Sequence, residues 1–371
     1  MQKLSVAANV KPLASLHAKR PAQSQTKSAR KRRNSMIHSY TFDGTNIILD
    51  IESGAVHVMD GAAFDVVRLF NDLPTSAGRD RLLELADRYE LSDLEEAFSE
   101  ILSLCDEDLL FSKPVHIEYK RPLPVVKALC LHISHDCNLR CGYCFAGTGN
   151  FNGARTLMSA ETGRKAIDFV IRESGNRKNI EVDFFGGEPL MNFEAVKEIV
   201  EYAENAGKKE GKNIRLTLTT NGVLLDDEKL EFVNKHFSNL VLSIDGRKET
   251  NDKMRKTLNG GGSYDIILPK LKKAADSRNQ DNYYVRGTFT AHNLDFAKDV
   301  LHLADMGFRQ TSVEPVVGGA SSDYSIRESD LPTVFNEYEK LAREYIKEDK
   351  TATHFLTFFT LWSIWSRVLV R

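Results

Sequence analysis

Ala128-Leu129-Cys130-Leu131-His132-Ile133-Ser134-His135-Asp136-Cys137-Asn138-Leu139-Arg140-Cys141-Gly142-Tyr143-Cys144 is the stretch on which the fold turns. Ala128 to Ser134 reads as a β-strand, and a C-x3-C-x2-C loop follows it at once. Three thiolates this close can hold three irons of a 4Fe-4S cluster and leave the fourth iron open to a non-protein ligand. The alternative is zinc, with Cys130, His132 or His135 as a fourth ligand, because zinc takes mixed Cys/His sets. Zinc sites usually bring two separated ligand pairs, and no second pair exists here. Only five cysteines occur in 371 residues, too few for a disulfide scaffold, so a reducing, cytoplasmic setting and a metal site are expected.

Outward from this strand, strand-like and helix-like segments alternate. The strands are Ala128 to Ser134, Ile180 to Phe185, Arg215 to Thr220, Leu240 to Ile244, Tyr283 to Thr290 and Thr311 to Val316. Amphipathic helices fall between them, among them Ala160 to Glu173, Phe193 to Ala206 and Asp295 to Met306. Six β-then-α units imply a parallel α/β sheet, either a partial barrel or a doubly wound sheet, with chemistry at the carboxyl ends of the strands.

Those ends carry motifs. Phe184-Phe185-Gly186-Gly187-Glu188-Pro189 closes the second strand, where glycines let backbone approach a ligand and proline fixes the turn. The third strand ends in Thr219-Thr220-Asn221-Gly222 and the fourth in Ser243-Ile244-Asp245-Gly246; each also reads as an ordinary strand-ending turn. Arg286 is a charge inside a strand-like run that either faces solvent or pairs with an anion. Gly260-Gly261-Gly262 lacks a following Lys-Ser/Thr and reads as a flexible loop rather than a phosphate cradle. Cys105 and Cys130 read as small hydrophobes, and His57, His132 and His292 as structural.

Before the barrel-like part, Ile37 to Phe42, Asn46 to Ile51 and Ala55 to Met59 read as strands around an Asp43-Gly44 hairpin turn. Three helical runs follow, around Phe64, Val67 and Phe70, around Leu82, Leu83, Leu85 and Ala86, and from Leu94 to Leu102. The expected layout is a basic disordered segment 1–35, a small α+β winged-helix-like module 36–112, a linker 113–126, an α/β unit 127–350 and an aberrant tail 351–371. Nine of the 50 Lys and Arg but none of the 52 Asp and Glu lie in 1–35, leaving 41 against 52, or −11, for the rest. Met36 is the expected true start. The overall charge of −2 gives no case for nucleic acid or a membrane surface, and no run approaches the ~20 apolar residues of a membrane span.

The cysteine loop after the first strand resembles that of the radical S-adenosylmethionine (SAM) superfamily, and Gly186-Gly187-Glu188-Pro189 closely resembles its GGEP motif. The resemblance implies a partial (β/α)6 TIM-like barrel, with Cys137, Cys141 and Cys144 on a 4Fe-4S cluster whose open iron chelates SAM. Reductive cleavage of SAM then yields a 5'-deoxyadenosyl radical, with a ferredoxin or flavodoxin as electron donor. Tyr143 matches the family's aromatic position, the GGEP residues would hold the SAM amino group, and Thr219, Asn221, Ser243, Asp245 and Arg286 would face SAM and substrate. Arg255 is a second candidate for the SAM carboxylate.

Ile37 to Val67 further resembles the start of the maturases for Cys-rich SCIFF (six cysteines in forty-five residues) peptides, a likeness running to about Lys347. It implies a leader-recognition module that grips a precursor peptide, and thioether bonds from cysteine sulfur to a Cα carbon. Another SPASM-group enzyme, such as an anaerobic sulfatase maturase, and a non-catalytic leader-binding remnant stay open as alternatives. Such maturases carry auxiliary 4Fe-4S clusters in a C-terminal SPASM domain, whereas no cysteine follows Cys144 here. A frameshift near Phe359 and impaired activity are the corresponding expectations. With permitted codons, an alternative frame from Phe359 reads as the family's continuation, and Trp362 and Trp365 both fit with their single codon.

Overall fold

The computed structural model describes residues 37–70, 74–113, 125–319 and 321–349. Expectations placed on 1–35, on 114–124 of the linker and on 351–371 lie outside these described residues. The chain divides into two compact units, Met1–Tyr119 and Lys120–Arg371.

The first unit opens with β1 (Ile37–Phe42), β2 (Thr45–Asp50) and β3 (Val56–Met59), paired antiparallel in that order. Asp43 and Gly44 both take positive φ (49° and 77°), the backbone a two-residue hairpin turn demands. Next come α1 (Gly61–Leu69), capped by the Asp60 carboxylate on the Ala63 amide, and α2 (Leu91–Asp106). Between them Ser76–Leu85 winds as a 3-10 helix rather than the expected α-helix. With three residues per turn, Leu82 and Leu85 share the buried face and Leu83 is turned outward. Ile48, Val66, Val67, Leu94, Phe98 and Ile101 join those two leucines in one core.

Asp50 closes this unit. Its buried carboxylate accepts from the Glu52 and Ser53 amides (both 3.0 Å), from the Ser112 amide (2.9 Å) and from the Ser112 hydroxyl (2.5 Å). Burial alone would raise this carboxyl, but the Ser112 and Ser53 bonds outweigh it and hold it below its ordinary value. Its stabilisation is therefore present above the usual aspartate range and lost as pH falls through the lowered folded value. Asp50→Ala strips all four bonds and is expected to cost about 1–3 kcal/mol. At neutral pH that reads as at least about fivefold faster hydrogen exchange in 46–50 and 110–112; unchanged protection there would refute the role.

The second unit begins with β4 (Ala128–Ser134), β5 (Leu139–Cys141), α3 (Ala160–Glu173), β6 (Asn179–Gly186), α4 (Phe193–Lys209), β7 (Asn213–Thr220) and α5 (Asp227–His236). It continues with β8 (Asn239–Ser243), α6 (Lys248–Met254), β9 (Arg255–Thr257), α7 (Tyr264–Ser277), β10 (Tyr283–Phe289), α8 (Phe296–Asp305), β11 (Thr311–Pro315) and α9 (Leu331–Asp349). Six strands pair in parallel in the order β11-β10-β8-β7-β6-β4. Each lies beside the one before it in the chain. A doubly wound sheet would reverse its order partway, so this is the consecutive winding of a partial TIM-like barrel.

One face of that sheet is apolar and packed. Leu131, Ile133, Ile180, Val182, Phe184, Leu216, Leu218, Leu240, Leu242 and Val285 share a core with helix residues such as Ile167, Ile199, Val233 and Leu271. Glu181, Asp183, Arg215 and Arg286 point the other way and are exposed. Among the described residues no helix is long and apolar enough to cross a membrane.

Candidate active site

At the carboxyl end of β4 the chain turns into the cysteine loop, and β6 ends against it. The Gly187 amide donates to the Ser134 carbonyl (2.7 Å) and the Glu188 amide to that of Asp136 (2.9 Å). Ser134 Oγ ties the turn from inside, accepting from the Asp136 amide (3.0 Å), and Arg140 Nη1 donates to the Cys137 and Leu139 carbonyls (2.5 and 2.7 Å). A short ribbon that sequence reading did not foresee holds the other side. β5 pairs antiparallel with β9, setting Cys141 opposite Arg255, and the Gly142 amide donates to the Met254 carbonyl (2.8 Å). Two three-residue strands carry too little pattern to read.

The three cysteines are free thiols of intermediate exposure. Burial pushes the Cys137 thiol up to about 12 and raises Cys141 as well. Thiols held so are inert unless a metal takes them as thiolates. The Leu139 amide donates to Cys137 Sγ at 3.4 Å and Asn221 Nδ2 lies 3.6 Å from it. Among the described residues no three His, Cys, Asp or Glu side chains converge on a single-ion position. Two buried donors beside the loop, Asn138 Nδ2 and Arg255 Nε, have no acceptor. Protein interiors rarely keep such groups, and cluster sulfurs would supply acceptors. The residues therefore fit a 4Fe-4S cluster.

The other expected residues fall into three groups. Tyr143 and Asp245 are tied to each other: the phenol donates to both Asp245 oxygens (2.8 and 2.7 Å), Arg255 Nη1 donates to the phenol oxygen (3.1 Å), and the Thr288 amide to Asp245 Oδ1 (3.1 Å). Burial raises both the Asp245 carboxyl and the Tyr143 phenol. Burial works against the Arg255 charge, but Tyr143, Cys141 and Asp245 outweigh it and keep the guanidinium charged.

Glu188, fully buried beside Pro189, links β6 to β7. Its carboxylate accepts from the Leu190 amide (3.0 Å), the Thr220 hydroxyl (2.8 Å) and the Asn221 amide (2.8 Å). Asn221 Nδ2 reaches on to Asn138 Oδ1 at 2.8 Å. What the Gly186-Gly187 turn offers a ligand is thus mainly its main chain.

Thr219, Ser243 and Arg286 lie on the face turned from the helices. Arg286 stands opposite Ser243 in the β8–β10 register and pairs with Glu314 at 2.5 Å, both side chains over a third exposed. Glu314 carried no sequence signal. Cys130 is a correction, since it is exposed, near Asp183, on that same open face; strand alternation puts it opposite the core. Cys105 does pack against the first unit's core. His57 bonds the Leu109 carbonyl (2.9 Å), and His132 stacks on Phe151 with ring centroids 4.2 Å apart. Gly260-Gly261-Gly262 is not a free loop but a bonded turn, with Thr257 donating to the Gly261 carbonyl at 2.9 Å.

Comparison with known proteins agrees with this geometry. Residues 131–300 match the model of the Radical SAM superfamily. An uncharacterized protein of Methanocaldococcus jannaschii is 33% identical over 135 residues, 36% of this chain and 44% of that one. The radical SAM cyclopropyl synthase TigE of Paramaledivibacter caminithermalis is 26% identical over 47% of this chain and 39% of its own length. A cysteine-type anaerobic sulfatase-maturating enzyme of Clostridium novyi is 24% identical over 55% of this chain and 56% of its own. The chain thus spans about half or less of the length of these curated relatives. The solved structure of native anSMEcpe with bound AdoMet and Kp18Cys peptide shares the fold, with a TM-score of 0.55 at 19% identity over 63% of this chain and 64% of that one. The chain carries a radical SAM domain with homologues among SPASM-type maturases, a domain that implies a 4Fe-4S cluster and SAM as cofactors.

Proposed function

We propose that this chain, with its radical SAM domain at residues 131–300, is the SAM-cleaving part of a peptide maturase that forms thioether cross-links in a Cys-rich precursor peptide. The observation that carries the enzymatic reading is the cysteine loop at the carboxyl end of the first strand of a consecutively wound parallel sheet, fringed by two buried donors without acceptors. When bound, the cluster and SAM would supply a 5'-deoxyadenosyl radical. Cys137, Cys141 and Cys144 would hold the cluster, and the main chain of Gly186 and Gly187 the SAM ammonium. Ser243 and Arg286, neighbours across β8 and β10, would take the SAM carboxylate, Arg286 exchanging Glu314 for it.

Residues 36–112 are assigned to leader recognition. β3 is an edge strand with Val56 and Val58 63% and 72% exposed, and an exposed edge suits addition of a peptide strand through main-chain hydrogen bonds. The likeness of Ile37 to Val67 to SCIFF maturases supports this choice of substrate.

The test is anaerobic incubation of the reconstituted chain with SAM, dithionite and a Cys-rich precursor. Expected are 5'-deoxyadenosine, a peptide lighter by two hydrogens per cross-link, and slower hydrogen exchange at 56–59 when leader is added. Absence of SAM cleavage would overturn the enzymatic reading. Modification of a sulfatase peptide in place of the precursor would overturn the thioether assignment.

A further inference from the structure

We propose that Arg255 is a positioning residue for the iron-sulfur cluster: its buried Nε–H donates to a cluster sulfur, and its charge favours the one-electron reduced state. This rests on the reading of the cysteine loop as a cluster site. Three observations lead to it.

Arg255 is 8% exposed, and it is the only Lys or Arg buried among the described residues. Its Nη1 reaches the Tyr143 oxygen at 3.1 Å, the Asp245 carboxylate lies at 4.0 Å, beyond a hydrogen bond, and Nε has no acceptor. A buried, charged donor left unmade is expensive, so an acceptor absent from the polypeptide is what this geometry calls for.

The β5–β9 ribbon points to where that acceptor comes from. Arg255 is the cross-strand partner of Cys141, and directly opposed residues project side by side from one face. The ribbon holds Arg255 there through the Gly142–Met254 bond and through Ser263 Oγ, which donates to the Arg255 carbonyl at 2.6 Å. The stem therefore starts beside a cluster ligand whatever rotamer it takes.

The charges around it supply the sign. Asp245 and Glu188, the buried ionisable neighbours, are acidic. A cubane core with two positive charges on three thiolates is net negative by one, and by two after it accepts an electron. Net charge and hydrogen bonds to the sulfurs set the potential of such clusters. A buried guanidinium lowers the energy of the more negative state, so removing it makes the cluster harder to reduce.

The experiment is a redox titration of the anaerobically reconstituted full chain, followed by electron paramagnetic resonance with dithionite as reductant and before SAM is added. Arg255→Met and Arg255→Gln are expected to hold about tenfold less reduced cluster at a given poise, a midpoint about 59 mV lower, while Arg255→Lys stays within about threefold of wild type. Neutral variants that titrate like the wild type overturn the proposal, including the case in which Arg255 serves the SAM carboxylate alone. If both neutral variants lose their iron, Arg255→Lys decides: iron and potential retained support a requirement for charge, and iron lost from it too assigns the position to folding. A wild-type chain that takes up no cluster overturns the underlying reading instead, a result no Arg255 variant can imitate.

Discussion

Alanine at Cys137, Cys141 or Cys144 is expected to abolish the proposed iron-sulfur cluster and, with it, any SAM cleavage, whereas alanine at Cys105 or Cys130 is expected to leave both intact. The expectation follows from where the five thiols sit. Cys137 lies between β4 and β5, Cys141 ends β5 and Cys144 follows it, and the first two are near enough to feel each other's charge. Cys105 lies against the core of the other unit, and Cys130 projects from the open face of β4. The wild-type chain is expected to carry about four iron and four sulfide per chain, falling to background in each loop variant. The check is iron and sulfide analysis with visible absorbance after anaerobic reconstitution. One zinc per chain with no iron-dependent absorbance would refute the cluster, and loss of iron from Cys130→Ala would move the ligand set.

Gly187→Ala is expected to be nearly as damaging, through sterics alone. A Cβ on Gly187 would stand 2.1 Å from the Asp136 carbonyl oxygen, 2.6 Å from its carbon and 3.1 Å from the Gly149 carbonyl oxygen. All three are backbone atoms, so no side chain can rotate out of the way. Relief requires the end of β6 to part from the cysteine loop, which breaks the Gly187–Ser134 and Glu188–Asp136 bonds. The cost is about 3 kcal/mol or more, and the expected result is a severalfold loss of bound iron without loss of the α/β fold by circular dichroism. Full iron content in this variant would mean that the GGEP turn does not support the loop.

Much of the barrel was legible because its signals are local. Ala128–Ser134 and Ala160–Glu173 have the bounds that alternation and helical periodicity suggest, and the remaining barrel strands differ by a residue or two. Ser76–Leu85 was misread as α-helical because leucines three apart serve a 3-10 turn equally well. Cys130 reads as a small hydrophobe yet is exposed, because a single cysteine in a strand does not say which face is buried.

By itself the sequence determined the cysteine spacing, the glycines that permit two strand ends to touch, and the serial β-then-α pattern, since each is a matter of residue type over a few positions. Only the tertiary structure decided the partners of the charged groups. Arg255 and Cys141 are 114 positions apart yet become neighbours through a ribbon of two three-residue strands; Glu188 spends its carboxylate on Thr220 and Asn221, and Arg286 pairs with Glu314 rather than standing alone. The physical reason is that a buried or half-buried charge must be met by whatever the fold brings within about 4 Å, and that depends on strand order and register rather than on nearest neighbours in the chain.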